Sequence, residues 1–591
     1  MAKTNTVHPL DLTNCIDPRL EALSYGQEKL KWAIPKGCSY SNHFQQKAAA
    51  YSTSGVNWNF NTAGENILID KRIYAKVQFQ VSITGIPANG GYLVNDGLSA
   101  PRAFPLASVV ESLTLGLNGS SITVSYADAL QGMVHYSGDK HNLSEYDLSG
   151  TPTMLDKFAV YSDGIGSLKN PLNSYQSGGY ETPRGSFKLD SIVNPVGDGV
   201  ASKTAIIKFT VVEPLMISPL SYSSSRLESA LIGVNNMSVQ MNFGGDLSRV
   251  WSHAVGSAGE TVTSVSVAVG SGTTEIPELL LSYLSTPLTD HSAIPRQAVY
   301  DYYRSEVFQN DQSVTLGAGA TQTFTLNAIQ LSIVPKSITI YAALPRGSKT
   351  YADSDTFFKM NSISLQYLNV SGQFSSMTIN DLYNMSVKNG CKLSFQEWSG
   401  QTTNYQTGAG VPLTGSVLRI DVTDLALPAN LAAGCPVSSQ LQFQVSLTNT
   451  SSQARAVSIY TVIGQEGLMT IAEGSMTTSL GVVSSEDVLA TRASKDWTTC
   501  HVQSEMYGGS FWDKVKSFGK TIGKAVGKVA PLVEHMVPKD SAVGKYLPKA
   551  LDVGKSLGLL GDGLAGGRKG RRGGALVGGR AMSRSELKEL L

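Results

Sequence analysis

The side chains most able to do chemistry lie near the end of the chain. Lys516, Lys520, Lys524 and Lys528 recur every fourth residue, while Phe511, Trp512, Val515, Phe518, Ile522, Val526 and Val529 recur at helical spacing on another side. A basic amphipathic helix with aromatic residues at one end suits a bilayer interface, a polyanion or the surface of a partner subunit. Gly519, Gly523 and Gly527 add a small-residue row that permits close helix packing. Each glycine weakens an isolated helix by about 1 kcal/mol relative to alanine, so the segment is expected to order on a partner. Farther on, Arg568, Lys569, Arg571 and Arg572 form a basic run. Such a run neutralises phosphates without sequence preference, or acts as a nuclear-import signal. Leu564-Ala-Gly-Gly567-Arg568 and Leu576-Val-Gly-Gly579-Arg580 place paired glycines where an extended, unhindered strand would enter a narrow protease groove.

Catalytic spacing is missing elsewhere. The eight histidines show no HExxH pattern, and no G-x-S-x-G elbow occurs. Gly519-Lys-Thr521 and Gly554-Lys-Ser556 resemble the end of a phosphate-binding loop, but Lys514 and Lys549 occupy the positions of the required upstream glycine. Acidic residues do not cluster with metal-loop spacing. The expectation is a non-enzyme with no cofactor and no metal, in which Trp251 and Trp512 are packing anchors.

The tail differs in charge from what precedes it. Residues 511–591 hold sixteen Lys/Arg against seven Asp/Glu, although the whole chain of 591 residues has a formal net charge of only +1. The body is therefore acidic and the tail basic, which implies two jobs on one polypeptide. Charged residues make up 16% of the chain, below the roughly 25% of an ordinary soluble domain, and glycine is abundant at 58. That composition fits many short strands joined by turns. Cys15, Cys38, Cys391, Cys435 and Cys500 are scattered and form no CxxC pair, so neither a disulfide framework nor a zinc site is expected. The opening MAKTNTVHPLDLTN has no apolar core of a signal peptide, and no run is long enough to span a bilayer. Synthesis in a reducing cytosol is the expectation.

Hydrophobic periodicity supplies the scaffold. Residues 1–55 read as an arm. Ile73, Ala75, Val77, Phe79, Val81 and Ile83 then alternate with polar residues, the signature of a half-buried strand. Strands are also expected at Val109–Leu117, Ser121–Ser125, Ala205–Val212 and Asn236–Phe243, around a long polar excursion at Tyr136–Gly199. A second series covers Ser313–Thr325, Ser337–Ala343, Ser362–Val370, Val417–Val422, Leu441–Leu447 and Val457–Ile463, with a short helical turn at Ser376–Tyr383. No βαβ alternation occurs, which argues against a parallel sheet. The expected architecture is mainly β: two tandem antiparallel jelly-roll sandwiches with long loops, at 56–290 and 291–490, and a short helical basic tail. Residues 491–510 read as a linker, 511–560 as the amphipathic segment and 561–591 as the Gly/Arg-rich end.

Several phrases carry a family resemblance. They are Ile69-Asp70-Lys71-Arg72-Ile73-Tyr74, Pro101-Arg102-Ala103-Phe104-Pro105-Leu106, Glu213-Pro214-Leu215-Met216-Ile217-Ser218-Pro219 and Phe243-Gly-Gly-Asp246-Leu-Ser-Arg249-Val-Trp251-Ser252. Ser376–Tyr383 and Gln465-Glu466-Gly467-Leu468-Met469-Thr470 follow in the second block. Together they resemble the major capsid proteins of the double jelly-roll lineage, including adenovirus hexons and the Polinton- and adintovirus-type capsids, over roughly residues 55–485. The resemblance implies a structural protein that forms pseudo-hexameric trimers and tiles an icosahedral shell. Its implied partners are other copies of itself, a penton protein, the viral genome and, through the tail, a host membrane. The implied location is the virion, after synthesis in the host cytoplasm or import into the nucleus. It also implies that the two Leu-x-Gly-Gly-x sequences, at Gly567/Arg568 and Gly579/Arg580, are sites for an adenovirus-type maturation protease. Two other readings stay open: an RNA-virus capsid protein with a shell domain, a protruding β domain and a lytic C-terminal peptide, or a carbohydrate-binding β-sandwich.

Overall fold

Ile73, Ala75, Val77, Phe79, Val81 and Ile83 are all buried, as their alternation requires. The computed structural model describes residues 40–62, 68–137, 150–175, 182–220, 230–270, 275–285, 297–404, 406–472 and 474–481, with positions 483, 485 and 488. The expected amphipathic helix, basic run and Gly-Gly sequences between Phe511 and Arg580 lie outside these residues, as does Trp512.

The first sandwich packs a seven-stranded sheet on a five-stranded one. In the larger sheet, Tyr74–Ile86 pairs antiparallel with Lys203–Pro214, placing Phe79 opposite Phe209, Val81 opposite Ile207 and Val77 opposite Val211. The two phenyl rings stand 5.8 Å apart. The smaller sheet runs Ala50–Ser52, Gly55–Asn61, Asn236–Phe243, Val110–Leu117 and Ser120–Ser125. It turns Trp58, Met237, Val239, Leu113 and Leu115 inward to the same core. Burial of each such side chain contributes about 1.5–3 kcal/mol, so a dozen of them dominate the stability of the sandwich.

The second sandwich repeats the plan with two five-stranded sheets. Pro436–Thr448 is central to one, flanked by Thr321–Thr325 and Lys359–Tyr367. Its Leu441, Phe443, Val445 and Leu447 are buried, and they face a core shared with Ile338, Ile340, Val457 and Ile459 of the other sheet. Alternation of this kind presents one apolar face, and a second sheet is what covers it.

Among the described residues, four short helices decorate the sandwiches: α1 (Pro105–Val109), α2 (Tyr126–Ser137), α3 (Ile379–Lys388) and α4 (Phe395–Ser399). The turn expected at Ser376–Tyr383 becomes the ten-residue α3, because Thr378 and Asp381 form a reciprocal capping box that starts it.

Three expectations are corrected. The single strand read at Ser313–Thr325 is two, because Gly317 to Ala320 turn the chain from one sheet into the other, with Gly319 at φ 71°. Ser362–Val370 breaks at Leu368 and Asn369, both left-handed, which make a hairpin between Lys359–Tyr367 and Val370–Gln373. Residues 40–52, counted with the arm, supply strands to both sheets of the first sandwich: Tyr40–Lys47 pairs with Glu278–Ser285, and Ala50–Ser52 with Gly55–Asn61.

Among the described residues, a two-stranded ribbon and a helix cross between the cores. Gln297–Leu316 and Arg455–Ala472 form an antiparallel ribbon about 60 Å long at the usual rise per residue. One end lies in the second core; the other sends Tyr300, Tyr302, Met469 and Ile471 into the first. The other crossing element is α2.

Candidate functional site at the junction of the two sandwiches

α2 has two apolar faces. Tyr126, Leu130 and Val134, four residues apart, pack in the first core, whereas Ala129 and Tyr136 pack in the second. Between the latter two, Gly132 lies against the ring of Tyr341, and the Tyr341 hydroxyl donates to the Asp128 carbonyl at 2.5 Å. At the far end, the Tyr136 hydroxyl donates to the Ser386 carbonyl of α3 at 3.0 Å. A helix hydrophobic on two sides is a strut between two cores, not a surface helix.

Beside α2, the family phrases converge. Phe104 has φ 49°, which turns the chain sharply into α1. The first two α1 amides after Pro105, of Leu106 and Ala107, donate to the Glu213 carboxylate at 2.8 and 2.9 Å, and the Thr151 hydroxyl adds a third donor at 3.3 Å. Burial pushes Glu213 up to about 7 against those three donors. Arg102, from the same phrase, donates through Nε to the Arg249 carbonyl at 2.7 Å. Trp251, two residues on, is buried with its ring 5.9 Å from Phe209, so the packing role expected for it holds.

Arg102 also reaches the second sandwich. Its Nη2 donates to the Asp353 carbonyl at 2.8 Å, and its Nη1 stands 3.4 Å from Asp156 and 3.5 Å from Asp355. Asp156 is a shared acceptor: Arg184 Nη2 at 2.5 Å, the Tyr161 hydroxyl at 3.0 Å and the Asp355 amide at 2.8 Å all converge on it. Arg249 completes the net through Asp355 at 2.6 Å. Burial alone would raise Asp355, but Arg102, Arg249, Lys349 and Arg184 overcome it and hold the carboxyl well below the usual carboxylate range. Each of these charges would be costly alone in a dry interior. Satisfied together, they fix orientation, because a shifted sandwich would strand them.

More polar ties flank the net. Arg346 bridges Asp128 and Glu111, the latter at 2.8 Å. The Ala159 carbonyl accepts from Arg455, Ser354 and Thr356, all of the second sandwich. His135 is fully enclosed, tilted over Phe357 at 4.4 Å, and burial holds it down to about 4.

Arg102, Glu213, Arg249 and Trp251 were legible as phrases, but their meeting was not. Asp156, Arg184, Asp355 and all of α2 were missed. The one available signal for α2 was the Tyr126, Leu130, Val134 repeat, hidden between a strand and a polar excursion. Among the described residues no group of His, Cys, Asp and Glu has metal-binding geometry. The junction can hold and align.

The family described as Sputnik virophage major capsid protein, first domain, matches residues 19–284, and that described as major capsid protein V20, C-terminal domain, matches residues 302–467. The first match carries Arg102, Asp156, Arg184 and Arg249, and the second carries Lys349 and Asp355. The chain is 25% identical over 614 aligned residues to the putative capsid protein V20 of Sputnik virophage, with 100% of both covered. It is similar in fold to a chain of the Sputnik virophage structure solved by cryo-electron microscopy, with a TM-score of 0.72 and 23% identity over 82% of this chain and 96% of that one. It is similar also to the mavirus major capsid protein, with a TM-score of 0.63 and 16% identity over 77% of this chain and 93% of that one.

Proposed function

We propose that this chain is a viral major capsid protein of the double jelly-roll lineage, a structural subunit of the virion shell, and that it assembles as a pseudo-hexameric trimer. The observation that carries the proposal is the buried ionic junction around Asp156. It joins two sandwiches of like plan with their mutual orientation fixed, so three chains present six similar blocks and threefold symmetry imitates sixfold packing.

The contacts between subunits would come from the long excursion of the first sandwich. Ile165, Leu168, Tyr175, Ile192, Val193, Val196 and Val200 are exposed apolar side chains in that one region, with Val200 81% exposed. Apolar residues gathered on a surface favour burial against a partner. The tail supports a further division of labour. Its amphipathic segment, Phe511 to Lys528, and its basic run at Arg568 to Arg572 suit contact with the genome or a membrane on the inner side of the shell. A penton protein at the fivefold positions, nuclear import through the basic run and cleavage after Gly567 and Gly579 belong to the same reading.

Mass photometry and negative-stain microscopy of the purified chain, with and without residues 511–591, test it. Trimers or closed shells from both versions are expected. Monomers under every condition would sink the assembly reading.

A further inference from the structure

Lys349 is an unusual member of the junction. It is buried at 6% exposure, and its Nζ donates to the Gln131 side-chain carbonyl at 2.7 Å. Gln131 belongs to α2, and its Nε2 donates in turn to Asp355 Oδ1 at 3.2 Å. An amine, a carboxamide and a carboxylate thus stand in a row, with the Tyr460 ring 5.6 Å from Nζ. Asp355 is also paired with Arg102 and Arg249.

We propose that Lys349 and Gln131 are joined by an isopeptide bond that ties the two sandwiches covalently. The Nζ lone pair attacks Gln131 Cδ, a bond forms between Nζ and Cδ, and the bond from Cδ to Nε2 breaks. One proton passes from Nζ to Nε2 as the bonds exchange, and Nε2 leaves as ammonia. Nothing is oxidised or reduced, and no external reactant is consumed.

Three features favour the step. The attacking amine must be neutral, and burial, with Arg249 and Arg346 nearby, holds Lys349 down to about 7. Nζ is held 2.7 Å from Gln131 Oε1, the atom bonded to the carbon it would attack, and such proximity, with effective molarities of up to about 10⁵–10⁸ M, offsets the sluggishness of an amide electrophile. Lys349 itself is only 6% exposed, which limits the water that reaches its amine. The two residues are 218 positions apart, so the bond would close a loop spanning both sandwiches.

Mass spectrometry of a tryptic digest of the full-length chain, with intact mass alongside, decides the matter. The expected result is a linked peptide pair carrying Gln131 and Lys349, no cleavage after Lys349, and an intact mass short by one ammonia. Lys349→Met and Gln131→Leu should each restore the full mass. Normal cleavage after Lys349 with no linked pair would overturn the proposal. A deficit that persists in Lys349→Met would also overturn it, by placing the lost ammonia elsewhere.

Discussion

Gly132 and Tyr341 meet face to face: a Cβ on Gly132 would lie 2.7 Å from both Cδ1 and Cε1 of the ring. That approach brings α2 of the first sandwich down onto the sheet of the second. Tyr341 cannot retreat, because it stacks on Tyr460 with centroids 4.9 Å apart and donates its hydroxyl to Asp128.

Substitution at this contact should therefore act on docking. Gly132→Ala should cost about 1–3 kcal/mol by overpacking, and Gly132→Leu more. Chemical denaturation measures the loss, and an unchanged midpoint for Gly132→Leu would show that α2 is not clamped as described.

Asp156 gathers two arginines, a tyrosine and an amide in one dry site. Asp156→Asn leaves Arg102 and Arg184 buried with their shared charge partner gone, and should cost about 3–5 kcal/mol. The same variant should release the sandwiches from each other, read as faster limited proteolysis of the full-length chain. A loss within the range of surface substitutions would contradict the junction's role.

Acid response should split into two opposing contributions. His135 is held down to about 4, below its usual 6.5, so the unfolded chain takes up a proton that the folded one refuses. Its share of stability is complete above about pH 6.5 and is lost on descent toward pH 4, by up to about 3 kcal/mol. Glu213 works the other way: with its carboxyl pushed up to about 7, stability falls as pH rises from about 4.5 to 7. In the native chain the two partly offset. His135→Phe removes the first slope, so its stability should increase from pH 7 to pH 5 relative to the native chain. Parallel pH profiles for both proteins would refute the assignment.

Assembly should be separable from folding. Leu168 and Val193 are each 60% exposed and lie outside both cores. Leu168→Asp with Val193→Asp should leave unfolding within about 0.5 kcal/mol of the native chain, as for surface changes, while oligomers are lost in mass photometry. Persistent trimers would move the subunit contact to another face.

Period-two alternation made the central strands legible, because one buried and one exposed face leave their mark on every second residue. Tyr74–Ile86 and Pro436–Thr448 were plain for that reason. Thr261–Val269 was not, since its polar face is Thr and Ser and its other face is only half-buried. Turn chemistry was harder: Leu368 and Asn369 adopt left-handed backbone without a glycine to announce it.

The sequence by itself determined the β class, the two-sandwich plan and the contrast between an acidic body and a basic tail. These follow from local periodicity and summed charge, which need no knowledge of distant contacts. Only the tertiary structure decided the junction. Arg102, Asp156, Arg249 and Asp355 are separated by up to 253 positions, and each alone reads as an ordinary surface charge. Burial turns them into one network, because a charge withdrawn from water must find its partner wherever the fold brings one.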